Sequence, residues 1–139
     1  MRYTMTDNEI LTQNPVLSPD AGSAEKAEFI VKILDAKKAR DICLLRVSDI
    51  TILTDYFIIC SGGSSTQVKA LADEIDFRLS EAGCPPEHVD GRNSGEWTVM
   101  DAGDVIVHVL DRNAREFYRL EKLWADAEKV DISNIILTD

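Results

Sequence analysis

Positive charge and long hydrophobic runs are both scarce in this sequence. Its 139 residues include 15 lysine and arginine residues against 25 aspartate and glutamate residues, which gives a formal net charge of −10. Binding to bare nucleic acid needs clustered cations that displace counterions from the phosphates, so direct nucleic-acid binding is not expected. No apolar run approaches the roughly 20 residues that cross a bilayer, so no membrane segment is expected. A chain of this charge is suited to contact with a basic protein.

Cysteine and histidine are too few and too scattered for a disulfide framework or a metal site. The three cysteines, Cys43, Cys60 and Cys84, are odd in number and show no CxxC spacing, and no apolar signal segment is visible at the N-terminus. His88 and His108 lie far apart in sequence, and neither has a partner at metal-ligand spacing. We therefore expect a reducing, cytoplasmic location, no metal and no cofactor.

Length and composition predict a single folded domain between two flanking segments. With 45% apolar residues, the chain can bury one core but is too short for two. Residues 1–22 combine polar residues and proline with scattered apolar residues, which predicts a disordered N-terminal extension. Residues 23–126 form the predicted domain. Residues 127–139 form an isoleucine-rich C-terminal tail that either docks as an extra strand or remains mobile.

Hydrophobic periodicity predicts an α/β fold for the domain. Apolar residues recur at helical spacing in residues 23–38 and 64–83. Residues 42–47 and 55–60 are β-branched and apolar, which indicates strands, and a short edge strand is expected around His88. Two further strands and a last helix follow. This order predicts a mixed β-sheet of about five strands with flanking helices.

The stretch that begins at Glu96 is predicted to form the centre of the fold. Gly103 can take the positive φ that a short hairpin needs, so the strands on either side of it should pair antiparallel. The second of these strands, DVIVHVL, is apolar on both faces, which predicts a central strand covered by helices on each side. His108, its one polar interior residue, is expected to be a hydrogen-bonded core residue.

The last helix is predicted to be continuous and to fold back over the sheet. Its apolar stripe consists of Phe117, Leu120 and Trp124, which recur at helical spacing, with Leu123 on the flank. Asp111 precedes the helix and is the expected N-cap.

The turn from Ser61 to Ser65 is the most enzyme-like feature of the sequence. A glycine-rich strand-to-helix turn presents backbone N–H groups to a phosphate, and nucleotidyltransferases use a similar turn. Their reaction also needs two metal ions held by paired carboxylates at alternate strand positions, and the sequence has no such pair. A helix start with a capping box of Ser64 and Gln67 is the simpler interpretation. A metal-dependent nucleotidyltransferase is the alternative function.

Aromatic and acidic residues gather around the hairpin and the last helix. Trp97 starts a strand and Tyr118 lies off the apolar stripe, with Glu96, Asp101 and Glu121 as acidic neighbours. Exposed aromatic residues with an acidic rim are typical of a contact surface for a basic protein. The alternative is that Trp97 only packs on the sheet and Tyr118 lies at the boundary of the core.

Several motifs in order carry a family resemblance. They are TDYFII at residues 54–59, SG at 61–62, SSTQVKA at 64–70, GEW at 95–97, DAGDVIVH at 101–108 and REFYRLEKLW at 115–124. Together they closely resemble the Iojap family, the ribosomal silencing factors. The resemblance covers roughly residues 24–126, which is most of the chain.

The resemblance implies a nonenzymatic translational repressor. Such a factor binds the large ribosomal subunit through its fourteenth protein, blocks association with the small subunit and lowers translation when nutrients are short. The fold implied is similar to nucleotidyltransferases without their catalytic carboxylates. Carried over position by position, the family's partner-binding residues correspond to Trp97, Asp101, Asp104, Tyr118, Glu121, Leu123 and Trp124. A homodimer through the same surface is a further possibility.

Overall fold

The computed structural model describes residues 16–18 and 20–137, so most of the predicted N-terminal extension lies outside the described residues. The helices in this part of the chain are α1 (Ser23–Ala36), α2 (Ser65–Glu81), α3 (Arg112–Tyr118) and α4 (Leu120–Leu123). The strands are β1 (Arg40–Arg46), β2 (Tyr56–Gly62), β3 (His88–Asp90), β4 (Trp97–Asp101), β5 (Val105–Asp111) and β6 (Glu128–Lys129). No helix among these residues is long and apolar enough to cross a bilayer.

The strands form one mixed sheet in the order β3-β4-β5-β2-β1-β6. β2 and β5 are parallel, and the other neighbouring strands are antiparallel. The predicted mixed α/β sheet is therefore confirmed, with six strands in place of about five, because the tail contributes β6. The hairpin between β4 and β5 is antiparallel as predicted, and Gly103 has a φ of +87°.

Helices α1 and α2 cover one face of the sheet, and the main core lies between them and the strands. Ile30, Leu34, Ile75 and Leu79 are fully buried in this layer. Cys60 points into the same layer, and burial raises the pKa of its thiol to about 12. The buried thiol is therefore a small core residue rather than a reactive one.

The helix starts follow the predicted capping chemistry with one difference. Ser64 Oγ accepts a hydrogen bond from the Gln67 backbone N–H at 3.1 Å. The Gln67 side chain reaches one residue further back than a capping box requires, because its Oε1 accepts from the N–H of Gly63 and not from that of Ser64. Asp111 Oδ1 accepts from the Ala114 N–H at 2.7 Å, so Asp111 is the N-cap of α3 as predicted.

The prediction of one continuous last helix is wrong. Arg119 adopts a left-handed conformation (φ 48°, ψ 55°) that ends α3, and α4 continues as a single turn. The break rotates the two pieces relative to each other, so the predicted stripe does not form one face. Leu120 is buried and Trp124 is half-buried, but the Phe117 side chain is 79% exposed.

The second face of the sheet, called the open face below, is only partly covered. α3 packs on β5 and β2, and Leu45, Ile59 and Leu120 form a smaller core there. Ile106 on β5 and Val99 on β4 remain half-buried. The prediction of helix cover on both sides of β5 thus holds for one face and only for part of the other, because α3 and α4 are short and contact β4 at its first residue, Trp97.

The described part of the tail docks on the domain. β6 pairs antiparallel with β1, and Ile132, Ile135 and Ile136 pack against the main core. The Leu137 N–H donates to Asp35 Oδ2 at 2.8 Å, which ties the end of the tail to α1. Of the two alternatives that the sequence left open, docking is the one that these residues adopt.

Candidate docking surface

The uncovered half of the open face lies on β4 and β5. Their register places Val99 opposite His108 and Asp101 opposite Ile106. Because side chains of directly opposite residues share a face, these four residues lie side by side. Val99, His108 and Ile106 are all half-buried, and so is Asp101. This half of the sheet therefore combines apolar side chains with a carboxylate, and Val99, Ile106 and Asp101 remain partly accessible.

Three aromatic side chains, Trp97, Phe117 and Tyr118, form what we call the aromatic patch. The Trp97 and Tyr118 ring centroids are 4.5 Å apart, and those of Tyr118 and Phe117 are 5.0 Å apart in an edge arrangement. Tyr118 is 50% exposed. The left-handed Arg119 ends α3 directly after Tyr118, which holds both α3 rings at the surface. Exposed aromatic rings held in place by one another are suited to contact with another protein.

His108 fixes the orientation of Trp97. Trp97 Nε1 donates a hydrogen bond to His108 Nδ1 at 3.1 Å. Phe57 packs edge-on against the imidazole with a centroid distance of 5.5 Å. Burial lowers the pKa of His108 to about 4, so its ring is neutral at physiological pH and can accept the indole hydrogen. His108 is thus hydrogen-bonded, as predicted.

Arg115 links the patch-bearing segment to the rest of the sheet. Its Nε and Nη2 donate to Glu121 Oε2 at 2.9 and 2.6 Å. Nη1 donates to Ser61 Oγ at 2.9 Å, and Nη2 also donates to the Asp41 carbonyl at 2.8 Å. Burial opposes ionisation of Glu121, but the hydrogen bond from Arg115, a backbone hydrogen bond and the charges of Arg115 and Lys129 together outweigh it and lower the pKa of Glu121. Glu121 therefore holds α4 in place.

The two turn acids have different surroundings. Asp101 Oδ1 accepts from the Gly103 N–H at 2.8 Å and so shapes the hairpin. Asp104 pairs with Lys26 of α1 at 2.7 Å, on the helix-covered side of the sheet. Asp101 thus lies on the open face, whereas the Asp104 carboxylate is directed away from it.

The last two predicted residues also differ. Trp124 is half-buried, and its ring lies 4.7 Å from Phe57 in an edge arrangement. Leu123 is 72% exposed. Trp124 therefore packs against the sheet, and Leu123 is available at the surface.

The structure brings together some of the predicted site residues and separates others. Trp97 and Tyr118 are in direct contact. Asp101 lies on the same open face, as the register of β4 and β5 shows. Leu123 is exposed at the end of α4. Asp104, Glu121 and Trp124 have internal partners that occupy them.

Sequence reasoning missed Phe117 and Ile106 as surface residues. Helical spacing places Phe117 in the buried stripe, and residue 119 is not the glycine or asparagine that usually signals a left-handed helix end. Ile106 was assigned to a strand covered on both faces. The only available signal was the shortness of the segment between β5 and the tail, which limits how much sheet it can cover.

The hydrogen bonds of the turn from Ser61 to Ser65 stabilise the fold. The Ser61 hydroxyl accepts from Arg115, and Ser64 caps α2. Within the described part of the chain, no group of three or more histidine, cysteine, aspartate or glutamate side chains is placed to hold a metal ion. The strand that leads into the turn, YFIICSG, carries no carboxylate.

Comparison with known proteins gives one consistent result. The family model described as ribosomal silencing factor during starvation matches residues 20–139. A ribosomal silencing factor from Haemophilus influenzae is 44% identical over 98 residues, which cover 70% of this chain and 96% of that protein. The crystal structure of a protein from Chromobacterium violaceum superposes with a TM-score of 0.74 at 36% identity, and the match covers 81% of this chain and 93% of that one.

A more distant relative comes from the mouse. It is named mitochondrial assembly of ribosomal large subunit protein 1, and it is 31% identical over 106 residues. The match covers 74% of this chain and 46% of the mouse protein.

Proposed function

This chain belongs to the ribosomal silencing factor family, and we propose that it represses translation by docking on the large ribosomal subunit. The docking partner is the fourteenth protein of that subunit, on the face that meets the small subunit. Bound there, the protein blocks subunit association and lowers translation under nutrient limitation. Family membership is consistent with ribosome-associated regulation of translation, and the partner and the blocking step are the proposal.

The observation that carries the proposal is the aromatic patch beside the open face. Phe117 and Tyr118 are exposed, Trp97 is half-buried against Tyr118, and Ile106 continues the apolar area onto the sheet. Aromatic side chains are enriched among the residues that contribute most to protein interfaces. A surface of this kind supports docking on another folded protein.

Charge favours a basic partner. The chain carries a formal net charge of −10, and Asp101 lies directly beside the apolar part of the surface. Opposite charge speeds the encounter with a basic ribosomal protein, whereas like charge repels bare ribosomal RNA. The same charge therefore favours the protein component of the ribosome over the RNA.

Steric exclusion alone is enough to block subunit association, and no reaction is required. A standard interface buries about 800 Å² on each partner, which a domain of this size supplies from one face. The remainder of the domain then occupies the space that the other subunit would fill. The printed name of the mouse relative refers to the large subunit, which supports the choice of that subunit here.

A reassociation assay tests this function. Purified large and small subunits are mixed in magnesium buffer with increasing amounts of the protein, and the products are separated on a sucrose gradient. We expect the fraction of joined ribosomes to fall and the protein to sediment with large subunits. If the joined fraction does not change at an excess of protein over large subunits, subunit blocking is wrong.

The competing use of the surface is self-association. An exposed aromatic patch can pair with a second copy of the chain, which would hide Phe117 and Tyr118 from the ribosome. Light scattering across a dilution series separates the two cases. A monomer mass at the concentrations of the reassociation assay leaves the surface free for docking, and a constant dimer mass contradicts docking through this surface.

A further inference from the structure

A cavity lies at the opposite end of α3 from the aromatic patch. It is located at the carboxyl ends of the parallel strands β2 and β5, where Gly62 lies opposite Asp111, and has a volume of about 860 Å³. Cavities of roughly 300 to 1,000 Å³ commonly hold small ligands, and the carboxyl ends of parallel strands are a frequent place for them. The function proposed above does not use this cavity.

The cavity concentrates positive charge in an acidic protein. Lys38, Arg40, Arg112 and Arg115 all line it, so four of the chain's 15 cationic residues meet here. Arg40 and Arg112 are exposed, and within the described residues neither takes part in an ion pair. Unpaired guanidinium groups converging on one cavity are suited to phosphate, which accepts paired hydrogen bonds from arginine.

Three carboxylates also line the cavity. The Asp35 carboxylate accepts the Leu137 N–H, which partly offsets its charge. Asp41 and Glu116 are exposed, so they can turn into solvent when an anion enters. Four cations and three acids line the cavity, and Arg115 among them is already paired with Glu121, whereas acids outnumber cations by 25 to 15 in the whole chain.

The backbone of β1 is distorted where it lines the cavity. Asp41 has a φ of 51°, which is unfavourable for a residue other than glycine. The pairing register with β2 is irregular between Arg40 and Cys43. This irregularity leaves Arg40 opposite Ser61, and the left-handed Asp41 turns its carbonyl onto Arg115 at 2.8 Å. The distortion thus helps to place two of the arginines on the same cavity.

The turn from Ser61 to Ser65, called the glycine turn below, lines part of the cavity. Gly62 and Gly63 line the cavity and lead into the 17-residue helix α2. A Cβ atom added at Gly63 would lie 3.2 Å from Gln67 Oε1 and 3.9 Å from Arg40 Nε, so Gly63 lies close to both side chains at this edge of the cavity. The first turn of α2 adds the positive end of a helix dipole to the arginine charges.

One wall of the cavity is apolar. Ile42 contributes from β1, and Ile132 and Ile136 contribute from the docked tail. A flat aromatic base can pack on such a wall while a phosphate chain attached to it reaches the arginines. The cavity therefore has an apolar wall for the base of a nucleotide and basic side chains for its phosphates.

We propose that this cavity binds a nucleoside polyphosphate without transforming it. The phosphates contact Arg40 and Arg112 beside the glycine turn, and the base packs on Ile132 and Ile136. A free nucleotide is favoured over RNA because a longer polyanion would run from the cavity onto an acidic surface. Arginine side chains supply the proposed phosphate contacts, so the binding is tested in the absence of divalent cations.

Calorimetry on the full chain in low-salt buffer with EDTA tests the proposal. The probes are ATP, GTP, inorganic tripolyphosphate, guanosine and a ten-nucleotide single-stranded RNA. We expect one saturable site for a nucleoside triphosphate, weaker binding of tripolyphosphate and none of guanosine. Lack of saturable triphosphate binding at millimolar concentration overturns the proposal. Tighter binding of the RNA than of either triphosphate also overturns it.

Matched variants locate the site. Arg40→Ala with Arg112→Ala should weaken triphosphate binding at least about tenfold, because two charge-assisted contacts are lost. Lys32→Ala with Lys69→Ala removes the same charge from exposed positions outside the cavity and should change binding less than threefold. If both double variants weakened triphosphate binding equally, the effect would come from the overall charge of the protein, which would contradict the assigned site.

A second measurement does not depend on how the variants fold. In the wild-type protein, the amide resonance of Gly63 should shift on titration with ATP, and its absence of movement at saturation contradicts the site. Both experiments use the protein without ribosomes. Their outcome is therefore independent of the docking function proposed above.

Discussion

Trp97 donates its indole hydrogen to His108 across the β4 and β5 pair, with 3.1 Å between Nε1 and Nδ1. The bond requires a neutral imidazole, because a protonated ring has no free acceptor at Nδ1. Burial supplies that condition by lowering the pKa of His108 to about 4. The tryptophan of the aromatic patch is therefore oriented by a histidine that stays uncharged.

Stability should fall in acid because of His108. Its folded-state pKa, about 4, lies below the ordinary histidine value of 6.5, so the unfolded chain takes up a proton first as the pH falls between these values. The unfolding free energy should lose about 2 kcal/mol between pH 7.5 and pH 5 from this group alone. Urea titrations at the two pH values measure the loss.

The matched pair of variants for this prediction is His108→Gln and His88→Gln. Glutamine at residue 108 keeps an acceptor but cannot be protonated in this range, so the loss between pH 7.5 and pH 5 should shrink by about 2 kcal/mol. His88 is exposed on an edge strand, and its replacement should leave the wild-type profile in place. If the unfolding free energy of His108→Gln fell between pH 7.5 and pH 5 as much as that of the wild type, His108 would not be the cause of the loss in acid.

Arg115→Ala should destabilise the fold by about 1 to 3 kcal/mol, because it leaves the buried Ser61 hydroxyl and the partly exposed Glu121 carboxylate without their partner. The side chain is 13% exposed and holds Glu121, Ser61 and the Asp41 carbonyl together. Arg46→Ala is the control, since Arg46 pairs with Asp49 and Glu128 in a more exposed site. Exposed pairs of this kind contribute about 0 to 1 kcal/mol. Similar losses of unfolding free energy in urea for both variants would contradict the linking role of Arg115.

Docking of the tail should contribute measurably to stability. Replacing Ile135 and Ile136 together by alanine removes half-buried apolar surface and should lower the unfolding free energy by about 2 kcal/mol. Alanine at the exposed Ser133 and Asn134 is the control, with an expected change under about 0.5 kcal/mol. Equal unfolding midpoints for the two double variants in urea would mean that the tail is not held on the domain.

Features encoded by neighbouring residues could be predicted from the sequence. The Gly103 hairpin and the caps at Ser64 and Asp111 depend on residue types within a few positions of one another. The two-faced apolar character of DVIVHVL likewise identified β5 as an internal strand, and it lies between β4 and β2.

Features that depend on distant contacts could not be predicted. β6 is only two residues long and pairs with β1 more than 80 positions earlier, so no local pattern identifies it. The left-handed Arg119 has no glycine to signal it, and the exposure of Phe117 follows from that break. The partners of Asp104 and Glu121 also come from other elements or across a turn, so sequence alone could not separate these acids from the exposed ones.

The central claim is that the protein docks on the large ribosomal subunit through its aromatic patch. The most direct test is the dissociation constant for large subunits, measured by co-sedimentation, for Phe117→Ala with Tyr118→Ala. Trp97 is left intact, because its removal would also unpair His108. Phe77→Ala is the control, since Phe77 is an exposed phenylalanine on α2, on the other side of the sheet.

We predict that the double variant binds large subunits at least about tenfold more weakly than the wild type, because interface aromatics commonly contribute more than 1 kcal/mol each. Phe77→Ala should bind as the wild type does. Wild-type affinity in the double variant, with its circular dichroism unchanged, would contradict docking through the patch.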